Sequence, residues 1–362
     1  MDRTVGQVGV MSLDTASESC RRCIGICAHE DGDNRAVTMP LTRAGICAVA
    51  TLLVVSVAGC SSAPSEVTAS PLASSSITEQ FSGPVIITSD DVPLPGSRLA
   101  VLTENAPLRI VSLATGVAET LVALGLGDRI VGRDETSTAT ELSEVPVLTK
   151  AHAVSAERVL ATSPDLVIID ASTSPPEAIE QIRSAGVAVV QIPEAWSPDD
   201  IAPRVRALAD AVGLDADSAE AATATWLPSA PGAQPSAPRV AFLYLRGTSA
   251  IYLLGGEGSG ADALIEAAGG VDVGAESGLP AFTPLTAEAL AAADPDVLLV
   301  MTGGLESVDG ATGLVQLPGV AQTRAGEQGR IVAVEDTLLL SYGPRTGALV
   351  DALASALQVA SR

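Results

Sequence analysis

Short apolar runs recur along the chain with turn-forming or charged residues at their ends. The first half carries RIVSLA (109–114), RIVGRD (129–134), DLVIID (165–170) and VAVVQIP (187–193). The second half carries RVAFLYL (239–245), DVLLVM (296–301) and RIVAVE (330–335). These runs are rich in Val, Ile and Leu and show little polar alternation, so they predict strands covered on both faces. Between them lie stretches with apolar residues at helical spacing, such as AETLVALG (118–125) and ADALIEAAGG (261–270). Strand and helix alternating in this way predict mostly parallel sheets sheathed by helices, an α/β fold.

The pattern also repeats. SAERVLATSPDLVIID (155–170) returns as TAEALAAADPDVLLVM (286–301): a cap residue, Ala-Glu, a short amphipathic helix, a Pro-Asp turn and an apolar strand. AETLVALG and ADALIEAAGG form a looser second pair in the same order. Two similar lobes are therefore expected, one over residues 108–196 and one over 239–362. The connection, 197–238, holds two helical patterns, PDDIAPRVRALADAVGL and ADSAEAATATWL, and then the Pro-rich PSAPGAQPSAP. Lobes whose strand ends face each other enclose a cleft, the favoured ligand site of open α/β sheets.

Composition narrows the possibilities. With 362 residues, 47% of them hydrophobic, the chain is long enough for a large core. A net charge of −23 argues against nucleic acid or anionic lipid headgroups as partners. Aromatic residues make up only 2% of the chain, so the core is aliphatic and each of the three tyrosines stands out. The five cysteines, Cys20, Cys23, Cys27, Cys47 and Cys60, all precede the periodic region. CRRCIGICAH (20–29) has superficial metal-ligand spacing without a folded context around it. The stronger motif follows Met39: Arg43, an apolar segment Ala44–Ala58 and the lipobox VAGC (57–60). That segment is short for a membrane span. The pattern resembles bacterial lipoprotein signals and implies cleavage before Cys60 and lipidation of its thiol. Residues 1–59 are thus expected as leader and signal peptide. Residues 60–107 are expected as a polar tether, SSAPSEVTASPLASSS, and the start of the fold.

In VAFLYLRGTSAIYLLGG (240–256), Tyr244 and Arg246 stand two apart and so share a strand face. A guanidinium ending a hydrophobic run needs a partner, because an unpaired buried charge is costly. GGEGSG (255–260) lacks the Lys-Ser/Thr ending of a phosphate loop, and no nucleophile–base set or paired catalytic carboxylates stand out, so no enzyme is expected.

RIVSLATGVAETLVALGLGDRIVG (109–132) followed by VSAERVLATSPDLVI (154–168) resembles the class III substrate-binding proteins of ABC importers, which carry siderophores, cobalamin and heme. The resemblance spans Leu108 to Ala360 and implies two lobes joined by a helical crossover. GRDETST (132–138), the histidine after VLTKA, YLR (244–246) and LLSYGPRT (339–346) are most similar to its hemin-binding branch. There the iron lies between a histidine of one lobe and a tyrosine of the other, with an arginine beside the tyrosine. His152, Tyr244 and Arg246 occupy those positions. The chemistry agrees: phenolate is a hard anionic donor suited to ferric iron, and a nearby guanidinium favours the charged form of a phenol whose pKa is ordinarily ~10. Bland readings stand beside these roles. His152 also fits a loop histidine, Tyr244 a strand aromatic, and Arg246 a cation paired with an acid at the cleft rim. Tyr252, Tyr342 and Arg345 are expected as pocket residues, and the single lysine, Lys150, as a propionate contact or a solvated loop residue.

Glu157 and Glu288 occupy matching places in the repeat. An acid in a helix's first turn favours the helix dipole; the resemblance further implies that the two dock on arginines of the permease. The sequence departs from the family where Pro228 and Pro231 interrupt the crossover. The implied protein is a lipid-anchored extracytoplasmic carrier of ferric heme, partnered by an ABC permease and its ATPase. The rivals are a ferric-siderophore or cobalamin carrier of the same fold, and a heme-binding lipoprotein without a transporter.

Overall fold

The structure, a computed structural model, describes residues 83–97, 106–107, 109–150, 153–228, 236–247 and 251–361. The signal segment, Cys60 and most of the expected tether lie outside the described residues, as do the other cysteines with His29, and His152 and Pro231. Strand β1 is Val85–Ile87, β2 Ile110–Ser112, β3 Ile130–Arg133, β4 Thr149–Lys150, β5 Ala153–Val154, β6 Leu166–Ile169 and β7 Ala188–Gln191. The second half supplies β8 Arg239–Arg246, β9 Ile251–Gly255, β10 Val271–Asp272, β11 Phe282–Pro284, β12 Val297–Met301 and β13 Ile331–Val334.

Two main sheets result. The N-terminal lobe has the parallel order β3-β2-β6-β7, and β4 and β5 form a small antiparallel ribbon beside it. The C-terminal lobe has the order β1-β13-β12-β8-β9-β11, with β10 also paired to β8. Its pairings are parallel except where β9 and β11 finish one edge as antiparallel strands. Strand β1 comes from the segment before residue 108 yet completes the sheet of the second lobe. Glu335 stitches it there, accepting from the Ser89 backbone N–H at 2.7 Å while its own N–H donates to the Ile87 carbonyl at 2.9 Å.

The apolar runs form strands because each face has its own core. Ile110, Leu166 and Ile168 point into one cluster, and Val111, Val167 and Ile169 into another. Likewise Val240, Phe242, Val297, Leu299 and Val332 face the first cluster, whereas Ala241, Leu243, Leu298 and Ala333 face a third. This is the period-two alternation of a strand buried on both sides. The first cluster belongs to both lobes. The helix Ile201–Val212 joins it through Ile201, Val205, Leu208 and Val212.

The internal repeat has a structural cause. Ser155 and Thr286 each cap their helix, accepting from the N–H of Arg158 (3.4 Å) and of Ala289 (3.1 Å). The aspartate of each Pro-Asp turn then receives the N–H that opens its lobe's first long strand region: Arg109 to Asp165 at 3.0 Å, Arg239 to Asp296 at 3.0 Å. The crossover is interrupted before Pro228, and Pro231 lies outside the described residues. Gly213 turns left-handed (φ 71°) to end the first helix, and Asp215 caps Ala216–Thr223. Pro228 lies beyond that second helix. Among the described residues no helix is long and apolar enough to cross a membrane.

One buried carboxylate yields a stability prediction. Asp272 caps the helix Val273–Glu276 with one oxygen, at 2.6 Å from the Ala275 nitrogen, while its other oxygen is buried with no partner among the described residues. Burial, aided by the charge of Asp262, pushes its pKa up to about 6. A folded-state pKa above the unfolded one means that the folded chain binds the extra proton. This contribution is therefore complete below about pH 4 and lost as pH rises through about 6. The unfolding free energy from denaturant titrations should fall over that window by on the order of 3 kcal/mol, and Asp272→Asn should flatten the dependence.

Candidate functional site

A cleft of about 610 Å³ opens where the strands end. The N-terminal lobe contributes Thr115 after β2, Glu135 and Thr136 after β3, and Asp170 and Ser172 after β6. The C-terminal lobe contributes Tyr244 and Arg246 at the end of β8, Met301 at the end of β12, and Asp336, Thr337, Leu340 and Ser341 after β13. Glu194, Trp196 and Arg204, from the stretch that leads out of β7 and into the crossover, complete the lining. Every contribution comes from the carboxyl end of a strand or from the connection, as expected for open parallel sheets.

Tyr244 and Arg246 do share a face, and the two side chains are stacked. The Arg246 guanidinium carbon lies 4.6 Å from the Tyr244 ring centroid, a cation–π contact worth about 0.5–2 kcal/mol. The ring meets Phe282 edge-on at 5.6 Å, with planes at 66°. Arg246 also faces Asp336 at 3.6 Å and donates to the Leu245 carbonyl at 2.9 Å. Asp336 is itself held by the Gly303 N–H (2.7 Å) and the Thr302 hydroxyl (3.2 Å). The Tyr244 hydroxyl makes no hydrogen bond to another described residue. The phenol is thus gripped by its ring and has its oxygen available.

Arg204 was not evident as a site residue from sequence. It sits in the apolar stripe of the crossover helix, three after Ile201 and four before Leu208, and that misplaced charge was the available signal. Its side chain is buried, and it donates to the Thr115 carbonyl of one lobe (2.8 Å) and the Tyr342 carbonyl of the other (3.4 Å). Burial lowers its pKa, and the negative charges of Asp170, Glu194 and Asp134 oppose that shift.

Residues 110–338 match the periplasmic binding protein family. The chain belongs to that family. Among solved structures, the apo form of the periplasmic heme-binding protein RhuT from Roseiflexus sp. RS-1 aligns at TM-score 0.64 and 37% identity, covering 70% of this chain and 99% of RhuT. The heme-binding protein HmuT aligns at TM-score 0.63 and 34% identity, covering 76% and 95%. By sequence, the cobalamin-binding protein of Halobacterium salinarum is 27% identical over 267 residues, 69% of each chain. The ABC transporter substrate-binding lipoprotein YvrC of Bacillus subtilis (strain 168) is 30% identical over 177 residues, and the match spans 52% of YvrC.

Within this periplasmic binding protein several expected pocket residues lie elsewhere. Tyr252 pairs with Leu245 in the antiparallel register and so shares that residue's face, turned from Tyr244 toward the third core cluster. Tyr342 is buried beneath the cleft, its hydroxyl donating to the Gly260 carbonyl, and burial pushes the phenol's pKa well up. Arg345 is also below the lining, where it bonds Glu119 at 2.7 Å with both side chains under a tenth exposed. Lys150 is exposed on β4 and is not among the lining residues, although its neighbour Thr149 accepts the N–H of Glu135, which is, at 3.0 Å. Glu157 and Glu288 are exposed in the first turns of their helices and make no hydrogen bond or ion pair with another described residue. Among the described residues no group of three or more His, Cys, Asp or Glu is placed to hold a metal ion.

Glu119 belongs to the first lobe and Arg345 to the second. The carboxylate also accepts the N–H groups of Thr138 (3.1 Å) and Ala139 (3.0 Å). Burial raises its pKa, against the pull of Arg345. Arg345→Met leaves a buried carboxylate unpaired and should cost roughly 3 kcal/mol at pH 7. Urea titrations should show the loss shrinking as the pH is lowered, because burial raises the Glu119 pKa and a protonated carboxyl no longer needs the guanidinium.

Proposed function

We propose that this chain is a lipid-anchored, extracytoplasmic hemin-binding protein that hands its cargo to an ABC permease and its ATPase. The observation that carries the reading is the ring-gripped Tyr244 at the cleft, its oxygen available and the Arg246 guanidinium over its face. On ligation to ferric iron the phenol becomes phenolate, and Arg246 sets a positive charge beside the anion thus formed. His152 supplies the donor from the opposite lobe, and lipidated Cys60 the anchor. Solved structures of HmuT include variants with a histidine, a tyrosine or an arginine replaced by alanine, and there the tyrosine and arginine are two residues apart, as Tyr244 and Arg246 are here. Glu157 and Glu288, solvent-facing at equivalent places on the two lobes, suit docking on permease arginines.

The charge of the lining bears on the rivals. It has four carboxylates, Glu135, Asp170, Glu194 and Asp336, and two guanidiniums that are already engaged by carbonyls or Asp336. A multiply anionic ferric siderophore finds little there to neutralise it. Cobalamin remains the alternative cargo, favoured by the Halobacterium salinarum relative.

Spectral titration of the full chain with hemin should give a saturable Soret shift, and cyanocobalamin should not compete. Tyr244→Phe should weaken hemin binding roughly 100-fold, about 3 kcal/mol, and His152→Ala should also alter the spectrum. Competition by cyanocobalamin with no change in Tyr244→Phe would transfer the assignment to cobalamin. The paired variant Glu157→Ala with Glu288→Ala should bind hemin normally yet support no uptake by cells; normal uptake would remove the docking role.

A further inference from the structure

Trp196 is one of two tryptophans in a chain with 2% aromatic residues. The other, Trp226, is 3% exposed and belongs to the core, whereas Trp196 is 44% exposed and lines the cleft. Its position is set by three independent restraints. Its backbone N–H donates to Asp200 at 3.0 Å, and its indole N–H donates to Glu194 at 3.3 Å. Opposite the ring stands Gly260 of the second lobe, in a left-handed conformation (φ +84°), where a Cβ would lie 3.2 Å from the indole Cε3. The bare glycine leaves room for the ring to rest on backbone.

A large apolar ring held in place yet left open to water forgoes the stabilisation that burial would bring. The same fixing means that a ligand covering the ring loses little side-chain entropy on binding. Tryptophan offers a broad π face, and such faces stack on flat conjugated rings whatever their peripheral groups. We infer that Trp196 is the stacking wall of the cleft, a ligand-contacting residue that packs its indole on the flat face of a tetrapyrrole. This assignment rests on the tetrapyrrole reading of the cleft but not on iron ligation.

The test uses iron-free protoporphyrin IX beside hemin, because the free porphyrin stacks but offers no metal to a ligand. With the full chain, Trp196→Ala should weaken binding of both by roughly 10- to 100-fold. Trp196→Phe should stay within a few-fold of wild type, and melting curves of both variants would show that the fold is kept. Tyr244→Phe should weaken hemin binding and spare protoporphyrin. Wild-type protoporphyrin affinity in Trp196→Ala overturns the stacking role while leaving the hemin reading in place. Equal loss of both porphyrins in Trp196→Ala, with no effect of Tyr244→Phe on either, upholds the stacking wall and removes the iron ligation. A wild-type chain that takes up neither porphyrin overturns both.

Discussion

The apolar cluster that runs from Ile110 and Leu166, along the crossover helix, to Phe242 and Val297 belongs to neither lobe alone, so the two sheets are buried against common neighbours. Separating them would expose aliphatic side chains on both sides, and in an aliphatic chain that burial is the main favourable term. Two buried polar ties sit at the same junction. Glu119 and Arg345 neutralise each other across it, and Arg204 spans it between carbonyls of Thr115 and Tyr342. Their geometry is directional where the apolar contact is not. Together the shared core and the ties place the strand ends of one lobe opposite those of the other, and the cleft is the space that remains.

The site has an electrostatic character of its own. Arg204 and Arg246 are both committed to partners, so neither is a loose cation awaiting an anionic ligand. Arg246 is set by Asp336 and in turn covers the face of Tyr244; the arrangement orders a phenol without occupying its oxygen. On the proposed reading, the tyrosine held this way meets a cation, and the surrounding carboxylates favour one. On that proposed reading, an iron-centred macrocycle with its acidic groups at the periphery suits such a lining better than a compact polyanion does.

Much of this was legible beforehand. The apolar runs at 109–114, 165–170, 239–245 and 296–301 became central strands because a strand buried on both faces needs continuous aliphatic sequence. The repeat was legible because its capping residues and turn aspartates do the same hydrogen-bonding work in each lobe. The shared face of Tyr244 and Arg246 followed from the two-residue period alone. Tyr252 was misplaced because its face depends on the register of β9 against β8, which no local signal specifies. Tyr342 and Arg345 were misplaced for a related reason: a loop motif shows that a residue is polar, not whether another lobe will cover it. The edge strand Val85–Ile87 escaped notice since three residues carry too little periodicity, and its partner is nearly 250 positions away.

What the sequence by itself determined is therefore whatever depends on near neighbours: strand and helix identity, the two-lobe repeat, the capped first turns that expose Glu157 and Glu288, and the Tyr244–Arg246 pairing. These follow from backbone period and short-range hydrogen bonds. Only the tertiary structure decided which residues line the cleft. It set Trp196 against Gly260, turned Arg204 inward, paired Asp336 with Arg246 and withdrew Tyr342 beneath the surface. Those outcomes depend on how two sheets far apart in sequence bury a common core, and distance in the chain carries no record of that meeting.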